Sequence, residues 1–139
     1  MRLFLTVILL CLTHWLAAQS PPATLPTAPY SPAVEANGFV FISGQIGRSN
    51  GKLVTDSFEA EAHQVLKNVG QVLVDHKLSF SDVVNVTIYL KDMKRYDATN
   101  AVYRTYFTTG RLPARVCVAV TDLPAGASIE VSAVAVRKP

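Results

Sequence analysis

Two charged side chains stand inside the most apolar stretches of this chain, Arg115 in Ala114-Arg115-Val116-Cys117-Val118-Ala119-Val120 and Glu130 in Ile129-Glu130-Val131-Ser132-Ala133-Val134-Ala135-Val136. Side chains on an extended strand alternate between two faces. In the first stretch Val116, Val118 and Val120 therefore share one face, which reads as a core face, and Arg115, Cys117 and Ala119 share the other. The second stretch is apolar at almost every position, the pattern of a strand buried on both sides. An arginine or glutamate in such a setting is costly unless it is paired or used. The turn between the stretches, residues 121–128, contains Pro124 and Gly126 and suits a hairpin-like return. Arg115 and Glu130 on neighbouring strands form either a structural ion pair or an anion-binding site with an acid–base group beside it. A plain edge-strand arginine in water is the third reading.

The elements that must position these groups follow from periodicity. Asn37-Gly38 between residues 31–36 and 39–43 marks a tight hairpin, because both residues tolerate positive φ. Gly44 and Gly47 break the pattern, and Ser49-Asn50-Gly51-Lys52 turns the chain again. From Phe58 the period becomes helical, with Ala62, Val65, Leu66, Val69, Val72 and Leu73 on one stripe. Asp56 or Ser57 can cap its start, and Glu59 and Glu61 suit its positive end. Residues 83–90 read as a strand, and a second helix is expected over about 96–108 with Ala98, Ala101, Val102 and Tyr106 on its apolar face and Gly110 closing it. Strands on one side and two helices on the other make an α+β layer arrangement.

Pro113-Ala114-Arg115-Val116-Cys117-Val118 followed by Ile129-Glu130-Val131 resembles the signature of the RidA/YjgF family of imine/enamine deaminases. Ala28-Pro29-Tyr30-Ser31-Pro32-Ala33, Phe41-Ile42-Ser43-Gly44-Gln45-Ile46-Gly47, Asp82 to Leu90 and Asn100-Ala101-Val102-Tyr103 also fit, so the resemblance spans about residues 24–139. It implies the chorismate-mutase-like fold, a mixed β-sheet with two helices packed on one face, and homotrimers with sites between subunits. Cys117, Ala119 and Val134 add a hint of their own, as apolar positions on strand faces that two helices cannot both cover. The activity implied is hydrolysis of small 2-imino acids and their enamine tautomers, 2-aminoacrylate/2-iminopropanoate and 2-iminobutanoate, to 2-keto acids and ammonia. Residue by residue, the resemblance assigns Arg115 to the substrate carboxylate and Glu130 to activating water, with Tyr30, Ser43, Asn100 and Cys117 lining the pocket. Read without it, Tyr30, Ser43 and Asn100 are ordinary turn, cap or surface residues and Cys117 a small apolar filler. One departure stands out: family members tend to carry Gly near position 77, where this chain has Lys77, so the exit of the first helix is expected to be strained or reshaped.

Imine hydrolysis explains the residue types. A guanidinium fork holds a carboxylate through two hydrogen bonds, and one carboxyl group can shuttle protons between water and the leaving nitrogen. An imine is already electrophilic, so no metal or organic cofactor is expected. His14, His63 and His76 show no ligand spacing.

The 139 residues suit one domain, and the net charge of +3 is too mild to argue for nucleic acid or an anionic membrane. Residues 1–18, with Arg2 followed by a short apolar run and small residues, read as a signal peptide cleaved after Ala18 or Gln19, or else as a retained N-terminal membrane anchor. That implies a secreted or periplasmic location, with membrane attachment only if the leader stays. Residues 19–29 form a Pro-rich linker, and 30–139 the domain. Beyond the leader, Cys117 is the single cysteine, so core packing and subunit contacts must hold the domain. Asn85-Val86-Thr87 is a glycosylation sequon within a strand.

Two competing functions remain. One is a non-catalytic trimer that binds small carboxylates or acts as a holdase, for which Arg115 suffices. The other is an endoribonuclease or translation inhibitor, disfavoured by the lack of paired histidines and of a basic aromatic stripe.

Overall fold

A computed structural model of the chain describes residues 28–108 and 110–138. The expected leader, and the linker as far as residue 27, lie outside the described residues. The chain divides at residue 30, and Ser31–Pro139 forms one compact unit.

Seven strands and two helices make up that unit: β1 (Ala33–Ala36), β2 (Phe39–Ile46), β3 (Arg48–Ser49), β4 (Lys52–Leu53), α1 (Phe58–Asp75), β5 (Val83–Leu90), α2 (Tyr96–Arg104), β6 (Ala114–Ala119) and β7 (Ile129–Val136). Five of the strands form one mixed sheet in the order β1-β2-β7-β5-β6, and β3 and β4 form a separate hairpin. Only β5 and β6 pair in parallel in the large sheet. Parallel neighbours need a crossover, and α2 supplies it. Asn37 and Gly38 take φ of 51° and 78° at the β1–β2 turn, the mirror-image geometry that matches strand twist.

α1 forms where the 3.6-residue period ran. Ser57 caps it, its hydroxyl accepting from the Ala60 N–H at 3.0 Å. The expected stripe is buried throughout, against Val40, Ile42, Val131 and Ala133 of β2 and β7. At its far end the Leu78 N–H donates to Leu73 O and the Lys77 N–H to Val74 O, a Schellman closure. Lys77 occupies the left-handed position of that closure at φ 58°, so the strain expected from the missing glycine is present.

Four expectations are corrected. The second helix ends at Arg104, well short of Thr108, and Ala101 on it is exposed. The last two strands are not neighbours, because β5 lies between β6 and β7. β7 is buried on one face only: Ile129, Val131, Ala133 and Ala135 meet the helices, and the alternate residues are half-buried. Finally, the Val face of β6 is not the core face. Val116 and Val118 are 51% and 37% exposed, whereas Arg115 and Cys117 turn toward the helices. The alternation of β6 was sound and its sense inverted, because the side of the sheet away from the helices is itself apolar. Of the three positions offered as uncovered, Val134 lies on that open face and Ala119 is exposed, but Cys117 packs against the core.

Candidate active site

Arg115 sits near the start of edge strand β6, with its side chain under α2. Its guanidinium carbon lies 4.7 Å from the Tyr103 ring centre and 5.8 Å from that of Tyr96, and Nη2 donates to the Tyr96 hydroxyl at 3.3 Å. A cation over an aromatic face is held by the ring quadrupole. No carboxylate among the described residues lies within ion-pair distance of Arg115. The group is thus held in place yet left unneutralised, and the structural ion pair with Glu130 is excluded. Around it opens a pocket of about 380 Å³, whose wall includes Pro113 and, from α2, Tyr96, Asn100 and Tyr103.

Burial pushes the Tyr103 phenol up to about 12, against the opposing pull of the Arg115 charge. Its buried hydroxyl has no hydrogen-bond partner among the described residues. Burial likewise raises the Cys117 thiol, and Arg115 again opposes it. A protonated, half-buried thiol packed on the core is not an activated nucleophile.

Glu130 occupies the other side of the sheet. On β7 it alternates with the buried Ile129 and Val131, so it points away from the helices. Its register partner on β5 is Tyr89. On β2, Ile42 pairs with Ala133 and Gln45 with Val131, so Ser43 and Gly44 together oppose Ser132 in a β-bulge. The Glu130 side chain lies over that bulge: a Cβ at Gly44 would collide with its Oε1. Glycine here admits the carboxylate against the backbone. Ser43 donates its hydroxyl to Ser31 O at 2.7 Å, and its N–H donates to Pro32 O at 3.0 Å, which fixes the bulge.

The two charged groups therefore do not converge within one chain, as a single hollow would require. β5 separates their strands, about 10 Å between centres at the usual spacing, and their side chains leave opposite faces. Of the remaining site residues, Asn100 lines the Arg115 pocket and Cys117 shares its face of β6, whereas Ser43 belongs with Glu130. Tyr30 ends the segment ahead of the compact unit and is 63% exposed. Tyr96 and Tyr103 were missed by sequence reasoning. Their signal was available: Tyr96, Asn100 and Tyr103 stand at i, i+4 and i+7, one face of a helix.

His63 and His76 do not form an acid–base pair. His63 Nδ1 pairs with the Tyr106 hydroxyl at 3.1 Å, and His76 Nδ1 with Val72 O at 2.9 Å.

The chain is thus a mixed α+β sheet that carries, in a pocket under a helix, a guanidinium left unneutralised among the described residues. Residues 20–137 match the sequence profile described as Endoribonuclease L-PSP. The chain is 42% identical over 113 residues to the mouse 2-iminobutanoate/2-iminopropanoate deaminase, covering 80% of this chain and 83% of that one. Among solved structures, the YjgF gene product of E. coli superposes with a TM-score of 0.77 at 33% identity, covering 81% of this chain and 91% of that one. E. coli TdcF with bound serine matches with a TM-score of 0.76 at 31% identity and the same coverage. This chain belongs to the Endoribonuclease L-PSP family, that is, the RidA/YjgF family.

Proposed function

We propose that this protein hydrolyses 2-imino acids and their enamine tautomers, 2-aminoacrylate/2-iminopropanoate and 2-iminobutanoate, to 2-keto acids and ammonia. The observation that carries this is Arg115: a guanidinium half-buried in a pocket, oriented by Tyr96 and Tyr103, with no carboxylate of the described chain to neutralise it. The mouse relative named as a deaminase of these imines supports the reaction. The TdcF structure with bound serine supports a small amino-acid-like carboxylate as ligand.

In this reading Arg115 grips the substrate carboxylate and fixes C2. Glu130 takes a proton from water as the oxygen–C2 bond forms, then passes it to nitrogen. Glu130 then carries the second proton from the new hydroxyl to nitrogen, the C–N bond breaks as the C2 carbonyl forms, and ammonia leaves, with water the only co-reactant. Ser43, Asn100 and Cys117 wall the site. Because Arg115 and Glu130 leave opposite faces of one sheet, each complete site takes Arg115 from one copy and Glu130 from the next, in a homotrimer. The apolar open face, with Phe41, Val116 and Val118 exposed, gives such copies a surface to share. Residues 1–18 act as an export leader or anchor, which fractionation of the native cells tests.

Ammonia release from freshly generated 2-aminoacrylate, compared between the wild type and Arg115→Ala, tests the activity. A rate enhancement lost in the variant is expected, and equal rates reject it. A second reading is a non-catalytic carboxylate binder, favoured by the fact that the Arg115 pocket is walled by α2 and β6 of one chain without Glu130. Binding of 2-oxobutanoate without any acceleration of imine hydrolysis would select it.

A further inference from the structure

The Arg115 pocket carries a second cation. Its wall continues along α2 from Tyr103 to Arg104 and on to Phe107, with Leu112 on the other side. Tyr96, Asn100, Tyr103 and Arg104 occupy i, i+4, i+7 and i+8, so one helix face presents them all to the cavity. No carboxylate of the described residues lines it, and none lies within ion-pair distance of Arg104. Arg104 also stands in the last turn of α2, where a cation is favoured by the helix dipole. That accounts for its charge but not for two arginines on the wall of one cavity, where like charges repel until an anion enters. The volume of about 380 Å³ falls in the range of ligand pockets generally, about 300–1,000 Å³. It exceeds what a three- or four-carbon imino acid fills.

We propose that this pocket selects dianionic substrates, the 2-imino derivatives of dicarboxylic acids, with Arg115 on the C1 carboxylate and Arg104 on the distal one. This rests on the reading above for which end reacts, and it changes no bond in the reaction: water still replaces nitrogen at C2 and ammonia leaves. The distal carboxylate contributes binding only, and the polar mouth at Arg104 lets it remain partly hydrated.

Binding of stable keto-acid products tests this apart from turnover. Calorimetry on the full protein compares 2-oxoglutarate, 2-oxobutanoate and phenylpyruvate. Arg104 is exposed, so the gain from its pair is modest: the wild type is expected to bind 2-oxoglutarate on the order of fivefold more tightly than 2-oxobutanoate. That ratio falls to about one in Arg104→Gln, is partly kept in Arg104→Lys, and shrinks as salt is raised. Equal affinities in the wild type, a ratio untouched by Arg104→Gln, or tightest binding of phenylpyruvate would each overturn the proposal. The 2-aminoacrylate assay separates the two readings. Turnover without dicarboxylate preference removes only the second carboxylate site. Preference without turnover leaves that site standing and removes the hydrolysis.

Discussion

The two faces of the large sheet are built from the same kinds of residue and put to different uses. Under the helices, Val40, Ile42, Val86, Ile88, Leu90 and Val131 are sealed. On the other side Phe41, Val116 and Val118 stand exposed. Each face also carries one charged group of the proposed reaction. Arg115 is held by α2 and is complete within its own chain, whereas Glu130 rests on a glycine bulge with its front open. The difference teaches that apolar strand composition does not say which side is core. It also explains how one small sheet can hold a cation and an anion of one proposed site without letting them neutralise each other.

The comparison breaks first at Glu130. Glu130→Gln keeps the side-chain shape but cannot accept the proton, so turnover should fall by about 10²–10⁴ while 2-oxobutanoate still binds at Arg115. Loss of binding with turnover intact would reverse the assigned roles. Gly44→Ala, whose Cβ would land on the Glu130 carboxyl, should reproduce most of that loss with the fold intact by circular dichroism. A wild-type rate would show that the carboxylate position does not matter.

The faces should also differ in stability. Leu73→Ala, beneath α1 and fully buried, should cost about 2–5 kcal/mol in denaturant unfolding. Val118→Ala on the open face should cost a small fraction of that in the separated chain, and more when copies are associated. Equal costs in the separated chain would mean the open face is not open. A smaller effect sharpens the account of α1: Lys77→Gly should raise stability by about 1 kcal/mol, by relieving the left-handed strain at the helix exit. A loss would mean that Lys77 makes compensating contacts.

Much of this was legible in the sequence. The α1 stripe, the Asn-Gly turn and the Ser57 cap rest on local periodicity and turn chemistry, which tertiary context left untouched. The family motifs pointed to Arg115 and Asn100, which the structure brings to one pocket, and to Ser43 and Glu130, which it places at the β2 bulge and over it. What failed was parity and adjacency. Val116 and Val118 read as core because an apolar face reserved for another surface looks the same in sequence as one reserved for helices. β6 and β7 follow each other in the chain, as sequential strands that pair usually do, but the parallel crossover through α2 inserted β5 between them. Tyr96 and Tyr103 are hard to see in the sequence because the apolar positions Ala98, Ala101, Val102 and Tyr106 carry the helical period there, and the stripe that holds the two tyrosines runs beside them.

Subunit complementation tests the central claim most directly. Arg115→Ala and Glu130→Gln proteins, each inactive alone, are unfolded together in equal amounts, refolded, and assayed with 2-aminoacrylate. If each site joins Arg115 of one copy to Glu130 of another, random mixing restores about a quarter of the wild-type rate. Activity no greater than that of the two variants refolded separately, with mixed oligomers demonstrably formed, would contradict a site shared across the two faces of the sheet.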